Sequence, residues 1–142
     1  MSGEAADPTL AIAAYLKAQE PVWEAAEERI FRPELPEGED VHMPRACILV
    51  RPAGGGAMSA RDFLPFIDSR LDLICYGSTR LQAENIAREV AAALKDLRGG
   101  KWEGIPVRWA RVSAQPASAI DPNTNWAFAL VSIQVYHAAR VP

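Results

Sequence analysis

The period of the hydrophobic pattern changes once, sharply, between Arg70 and Arg98, and that change limits what this chain can fold into. Residues 70–76 read Arg-Leu-Asp-Leu-Ile-Cys-Tyr and end on Gly77. A run of aliphatic and aromatic side chains closed by a glycine suits a strand. Beyond it, Ile86, Val90, Leu94 and Leu97 recur at helical spacing, with Ala83, Ala87 and Ala91 widening the stripe. Thr79 and Gln82 stand at capping-box spacing, so the hydroxyl can accept a helix N–H and the amide can reach back. Glu84 and Arg88 lie four apart, in the favourable order, on the opposite face. Gly99-Gly100 supplies residues that tolerate a left-handed C-cap. The expectation is a strand, a tight turn and a capped amphipathic helix lying on a sheet.

The flanking sequence fits the same plan. Residues 1–6 read as a frayed tail. Asp7-Pro8 marks a helix start running to about Gln19, with Ile12, Ala13 and Leu16 as its apolar stripe. Pro21 breaks it, a short helix follows over 22–28, and Arg29-Ile30-Phe31 is a short extended piece. Pro33 to Pro44 is a loop. Ala46 to Val50 is a continuous apolar strand, covered on both faces. Residues 52–69 contain Gly54-Gly55-Gly56 and several large apolar side chains. They read as an extended arm or hairpin that packs outside its own core. Ile105 to Val112 is a strand, 113–125 a loop, and Trp126 to Tyr136 the longest strand. In that last strand Ala127, Ala129, Val131, Ile133 and Val135 make one apolar face. Trp126, Phe128, Leu130, Ser132, Gln134 and Tyr136 make an amphipathic one, suited to a partly wet surface or a subunit contact. The sum is one α+β domain over 1–142: an about four-stranded, mostly antiparallel sheet with two or three helices on one face and a long glycine-rich arm between its first two strands.

Composition narrows the function. The 142 residues are 49% hydrophobic with a net charge of −3, which argues against global disorder and against a basic nucleic-acid-binding surface. No apolar run approaches the ~20 residues of a membrane span, and the first residues lack a secretory pattern. The expectation is synthesis and assembly in a reducing cytoplasm. Residues 24–40 carry Glu24, Glu27, Glu28, Glu34, Glu37, Glu39 and Asp40 against Arg29 and Arg32, whereas 95–142 is mildly basic. Ordinary solvated surface is the plain reading; complementary faces for self-association are the functional one.

Catalytic signals are sparse. His42 and His137 have no second histidine or cysteine at metal-ligand spacing, and Cys47 and Cys75 stand alone. The cysteines read as two small buried hydrophobes, with a cross-strand disulfide as the alternative. Cys75 with His137 as nucleophile and base is open but nothing specific supports it. The glycine triplet lacks the Gly-Lys-Ser/Thr ending of a phosphate loop. Asp62, Asp68 and Asp72 read as solvated or ion-paired. The four tryptophans read as core or interface anchors. No cofactor, metal or catalytic residue is expected, and the residues favour an interaction or assembly protein over an enzyme.

The order of segments resembles the tail terminator (tail completion) proteins of long-tailed bacteriophages and gene transfer agents. The resemblance is carried by Ala-Tyr-Leu-Lys-Ala at 14–18, Val22, Arg-Ile-Phe-Arg-Pro at 29–33, Met-Pro-Arg-Ala-Cys-Ile-Leu-Val at 43–50, Leu-Asp-Leu-Ile-Cys-Tyr-Gly at 71–77, Asp121-Pro122 leading to Trp126, and Ser-Ile-Gln-Val-Tyr at 132–136. It implies a ring of six copies, a homohexamer, on the head-proximal end of a tail tube, part of a virion or phage-like particle. The ring would stop tube growth and meet a head-completion (stopper) protein, with DNA passing through and no membrane partner. Its acidic and basic segments would sort onto opposite rims. The residues themselves nominate interface candidates: Arg51, Met58, Arg61, Phe63 and Phe66 on the arm, and Trp126, Phe128 and Gln134 on the sheet face. The alternatives are another head–tail neck component, or a small enzyme or ligand-binding domain with a site near Cys75 and His137.

Overall fold

The longest pairing in the molecule joins two twelve-residue strands, β3 (Phe66–Gly77) and β7 (Ala127–Ala138), which run antiparallel over their whole length. The computed structural model describes residues 4–53, 65–114 and 116–141. Around the β3–β7 pair lie β1 (Ile30–Phe31), β2 (Cys47–Pro52), β4 (Lys101–Trp102), β5 (Ile105–Val112) and β6 (Ala117–Ile120). The seven strands are ordered β1-β2-β3-β7-β5-β4, with β6 also on β7. Among the described residues only β1 and β2 pair in parallel. The class is therefore α+β as expected, but with seven strands among the described residues rather than about four.

Of the extra strands, β1 falls on the short extended piece expected at 29–31, and β6 comes from a stretch read as a loop. β3 begins at Phe66, so residues 66–69 belong to the sheet and not to an arm. β6 lies inside the expected 113–125 loop and pairs with Ala127–Leu130, next to where β5 pairs with Ile133–His137. The two form one edge of β7, interrupted around Pro116, whose ring nitrogen has no hydrogen to donate to a ladder. Two-residue β1 and β4 fall below any periodicity signal.

Three helices cover one face: α1 (Pro8–Lys17), α2 (Glu20–Ala25) and α3 (Arg80–Lys95). Asp7 caps α1 by accepting from the Thr9 N–H at 3.0 Å. Pro21 sits in the first turn of α2, where its missing N–H costs nothing, rather than merely ending α1. Thr79 caps α3 by accepting from Gln82 N at 3.1 Å, while the Gln82 amide oxygen accepts from Ser78 N, one residue earlier than a regular capping box requires. α3 stops at Lys95 with Asp96 as C-cap; Gly99 and Gly100, both at positive φ, make the following turn into β4 instead. The expected Glu84–Arg88 pair does not form: Glu84 accepts from Ser118 and Arg88 donates to Asn85.

Ile86, Val90 and Leu94 of α3 and Ile12 and Leu16 of α1 pack onto Leu71, Leu73, Val131 and Ile133 of the central strands. Full burial of each such side chain is worth roughly 1.5–3 kcal/mol. Tyr15 donates to the Ala93 carbonyl and meets the Trp102 ring edge-on at 5.1 Å, tying α1 to the end of α3. The described part of the expected tail is held as well: Ala6 N donates to Ala139 O and Val141 N to Glu4 O.

Candidate functional site: the uncovered sheet face

Alternation along β3 and β7 sends odd-numbered residues into the core and even-numbered ones to the opposite face. At the β2 corner this second face is closed. Cys47, Leu49 and Ile74 are buried there, and Met43 Sδ lies 3.9 Å from Cys47 Sγ. That contact places the β1–β2 connection over the corner, so Cys47 to Val50 are indeed covered on both sides.

Toward β5 the face is aromatic and half-exposed, with no described element laid over it. Phe66, Tyr136 and Trp109 form a ladder across three strands, with centroid distances of 5.5 Å for both Phe66–Tyr136 and Trp109–Tyr136. Arg108 lies 4.6 Å above the Phe66 ring and Arg111 4.6 Å above Trp109. Stacking of this kind leaves the guanidinium edge free to donate to a carboxylate. A bulge between Val107 and Trp109 shifts the register of β5. It is what allows Arg108 and Arg111, three residues apart, to serve the same face. One row further along, Gln134 stands between Arg70 and Arg111. The next row holds Asp72, which accepts from Ser132 Oγ at 3.0 Å, opposite Arg51.

The structure thus brings Arg51, Phe66, Phe128 and Gln134 onto one face. Phe66 reaches it from the sheet itself rather than from an arm. Trp126 precedes β7 and packs edge-on against Tyr76 at 5.9 Å, at the far end of that face. Met58, Arg61, Phe63 and Asp62 lie outside the described residues. Sequence reasoning missed Trp109, Arg70, Arg108 and Arg111 as site residues. The alternation Asp68, Arg70, Asp72 was the available signal for the first strand; the bulge in β5 leaves none.

The thiol–imidazole alternative is not assembled. Cys75 is in register with Ala129 and His137 with Ile67, eight positions apart, roughly 26 Å at 3.3 Å per residue. Cys47 pairs with Tyr76 and Cys75 with Ile48, so the two thiols point to opposite faces and both are free. Burial pushes the Cys47 thiol up to about 12 and the Cys75 thiol up further. At neutral pH that leaves Cys47 about a thousandfold less thiolate than an exposed cysteine. Accordingly, a thiol reagent should label neither cysteine of the native protein on the timescale in which it labels both in denaturant. Rapid labelling of Cys75 in the folded chain would refute this placement.

His137 is fully buried. Its Nδ1 lies 2.8 Å from the Ala138 carbonyl, which can only accept, so Nδ1 carries the hydrogen and Nε2 accepts from Ser69 Oγ at 2.7 Å. Burial lowers its pKa, and the pair acts as an internal polar peg. His42 is exposed on the 3-10 turn Glu39–His42. Among the described residues no group of three or more His, Cys, Asp and Glu side chains could hold a metal, and no helix is long and apolar enough to cross a membrane. A shallow cavity of about 410 Å³ lies between α3 and β6. Its polar groups are spent on one another: Arg80 donates to Ser118, and Ser118 to Glu84.

Among the described residues these features define an α+β domain whose distinctive surface is a sheet face with no element laid over it, not a cleft. No family model matches the sequence, and no curated protein does. Solved structures that share the fold include two from phage-type particles. A chain of the virion of a native gene transfer agent particle superposes with a TM-score of 0.63, covering 92% of this chain and 93% of that one, at 9% identity. The gp17 protein of bacteriophage SPP1 superposes with a TM-score of 0.54, covering 88% of this chain and 84% of its own, at 16% identity. At such identities the likeness is one of fold.

Proposed function

We propose that this chain is a structural component of a phage-type particle, acting at the tail or neck as a tail terminator. In this reading copies close into a ring, six as the sequence resemblance implies, on the head-proximal end of the tail tube. The ring stops tube growth and presents a surface to the head-completion protein, with DNA passing through its centre. The observation that carries the reading is the near-complete, two-way coverage between this fold and a chain of a gene transfer agent virion. The aromatic and cationic sheet face supports it, because such a face is suited to contact with another protein. A ring of this kind uses heterologous contacts that close by rotation.

The test is native mass across a concentration series, with negative-stain images of the largest species. The expected species contains six chains, each of 15.5 kDa, and shows a central hole. If the protein stays alone, it is incubated with purified tail tubes that lack a terminator, where it should form a ring at one end. A monomer under both conditions would remove the reading.

A further inference from the structure

The acidic β1–β2 connection and the Arg108/Arg111 pair lie toward opposite edges of one sheet. The acidic connection joins β1 to β2, at the start of the strand order, and Arg108 and Arg111 sit on β5, beyond β3 and β7. β2 and β5 are three strand spacings apart, roughly 14 Å. We infer that these edges are the two halves of a head-to-tail contact between copies of this chain: the acidic β1–β2 connection of one copy docks against the Arg108/Arg111 edge of the next. The inference rests on the ring reading above and names the surfaces that would close it.

The state of the charges supports the pairing. On the acidic side the cations are consumed locally. Arg29 pairs with Glu27, Arg32 with Asp7, and Arg45 holds Glu39 through two bonds of 2.7 and 2.8 Å. Glu34, Glu37 and Asp40 remain exposed, and among the described residues they have no cation within ion-pair distance. On the basic side Arg108 and Arg111 are exposed and likewise without a carboxylate among the described residues. Both are fixed over aromatic rings, so little side-chain freedom is left to lose on binding. Lys95 and Arg98 line the adjoining hollow with Arg111, extending the positive edge. Asp68 and Asp72 are the acidic groups of the sheet face itself, and Asp72 is engaged by Ser132. Two edges of opposite sign on one molecule cannot satisfy each other across the sheet. They can do so in a second copy, and the contact then repeats in one rotational sense. The charge asymmetry is thereby a side-to-side device and not a difference between the rims.

Charge swapping tests this directly. One variant carries Arg108→Glu with Arg111→Glu, and the other Glu34→Arg with Glu37→Arg. Each alone presents edges of like sign and should assemble at least about tenfold less well than the native chain. Mixed in equal amounts they present native-type and swapped contacts alternately, which an even-numbered ring can accommodate, and assembly should return. Association of the unaltered protein should also weaken at least about tenfold between about 0.05 and about 0.5 M salt. That measurement stands even where an arginine variant fails to fold. Rings from each variant alone at native concentrations, no recovery on mixing two folded variants, or association indifferent to salt would each overturn the docking while leaving the ring intact. Failure of the unaltered chain to associate, both alone and on tail tubes, would overturn the ring reading and this contact with it.

Discussion

Gly77→Ala should cost about 1–3 kcal/mol of stability, and Gly77→Val more, with no side chain removed. Gly77 ends β3 immediately before the α3 cap. A Cβ built there would meet Ala83 N at 2.7 Å, Thr79 O at 3.0 Å and the Gln82 Cβ at 3.0 Å. Two of these are backbone atoms of the cap and first turn of α3, so neither can swing aside. Either the turn opens, breaking the Thr79 cap, or the helix lifts from the sheet and weakens the packing of Ile86 and Val90. Overpacking of this kind typically costs 1–3 kcal/mol, out of the roughly 5–15 kcal/mol that hold a domain together. Chemical denaturation of the Gly77→Ala and Gly77→Val variants reads the loss as a lower midpoint at unchanged slope. Native-like midpoints for both would show that strand and helix are not locked this closely. A surface control is Arg88→Ala, which removes only an exposed contact to Asn85 and should stay within about 0.5 kcal/mol.

That strand–turn–helix unit was legible because both of its periods are strong and a glycine marks the change between them. β7 was legible too: its five inward residues, Ala127 through Val135, are all buried and the outward ones from Phe128 to Tyr136 all half-exposed. β5 was read at its observed bounds, yet its site residues were not, because a bulge alters which side Arg108 faces and a bulge has no reliable residue signature. The start of β3 was lost for a different reason. Its outward positions are Asp68 and Arg70, and its inward Ser69 is polar because it partners His137, so the stretch lacks the apolar signal a strand is expected to show. Residues 117–120, Ala-Ser-Ala-Ile, are small and mostly exposed; only the neighbouring strand makes them extended. The candidate face was therefore half visible. Its β7 contribution follows from alternation, while its cations depend on three strands meeting in register, which no local pattern encodes.

His137 and Ser69 should make the fold acid-sensitive. The folded imidazole is buried and its pKa is lowered, chiefly by desolvation; in the unfolded chain it returns to about 6.5. Below that value the unfolded state binds a proton that the native state refuses, so stability falls as pH drops, by up to about 1.4 kcal/mol per pH unit. Above it the contribution is flat. The Glu39 carboxyl, held low by hydrogen bonds from Arg45, opposes nothing here. Its contribution is present above its ordinary value near 4.5 and is lost only as pH falls through the lower folded value. Between about pH 4.5 and 6.5 the decline expected from His137 is therefore the part that its removal abolishes. Ser69→Ala alone should cost about 1–3 kcal/mol at neutral pH by leaving Nε2 without its donor. Pairing Ser69→Ala with His137→Leu replaces the peg by apolar surface. The double variant should recover most of that loss and abolish the decline. Equilibrium unfolding of the four proteins at pH 5 and pH 7 completes the cycle. A flat profile for the native chain over that window, or strictly additive effects, would mean that His137 is not held neutral by its burial and its bond to Ser69.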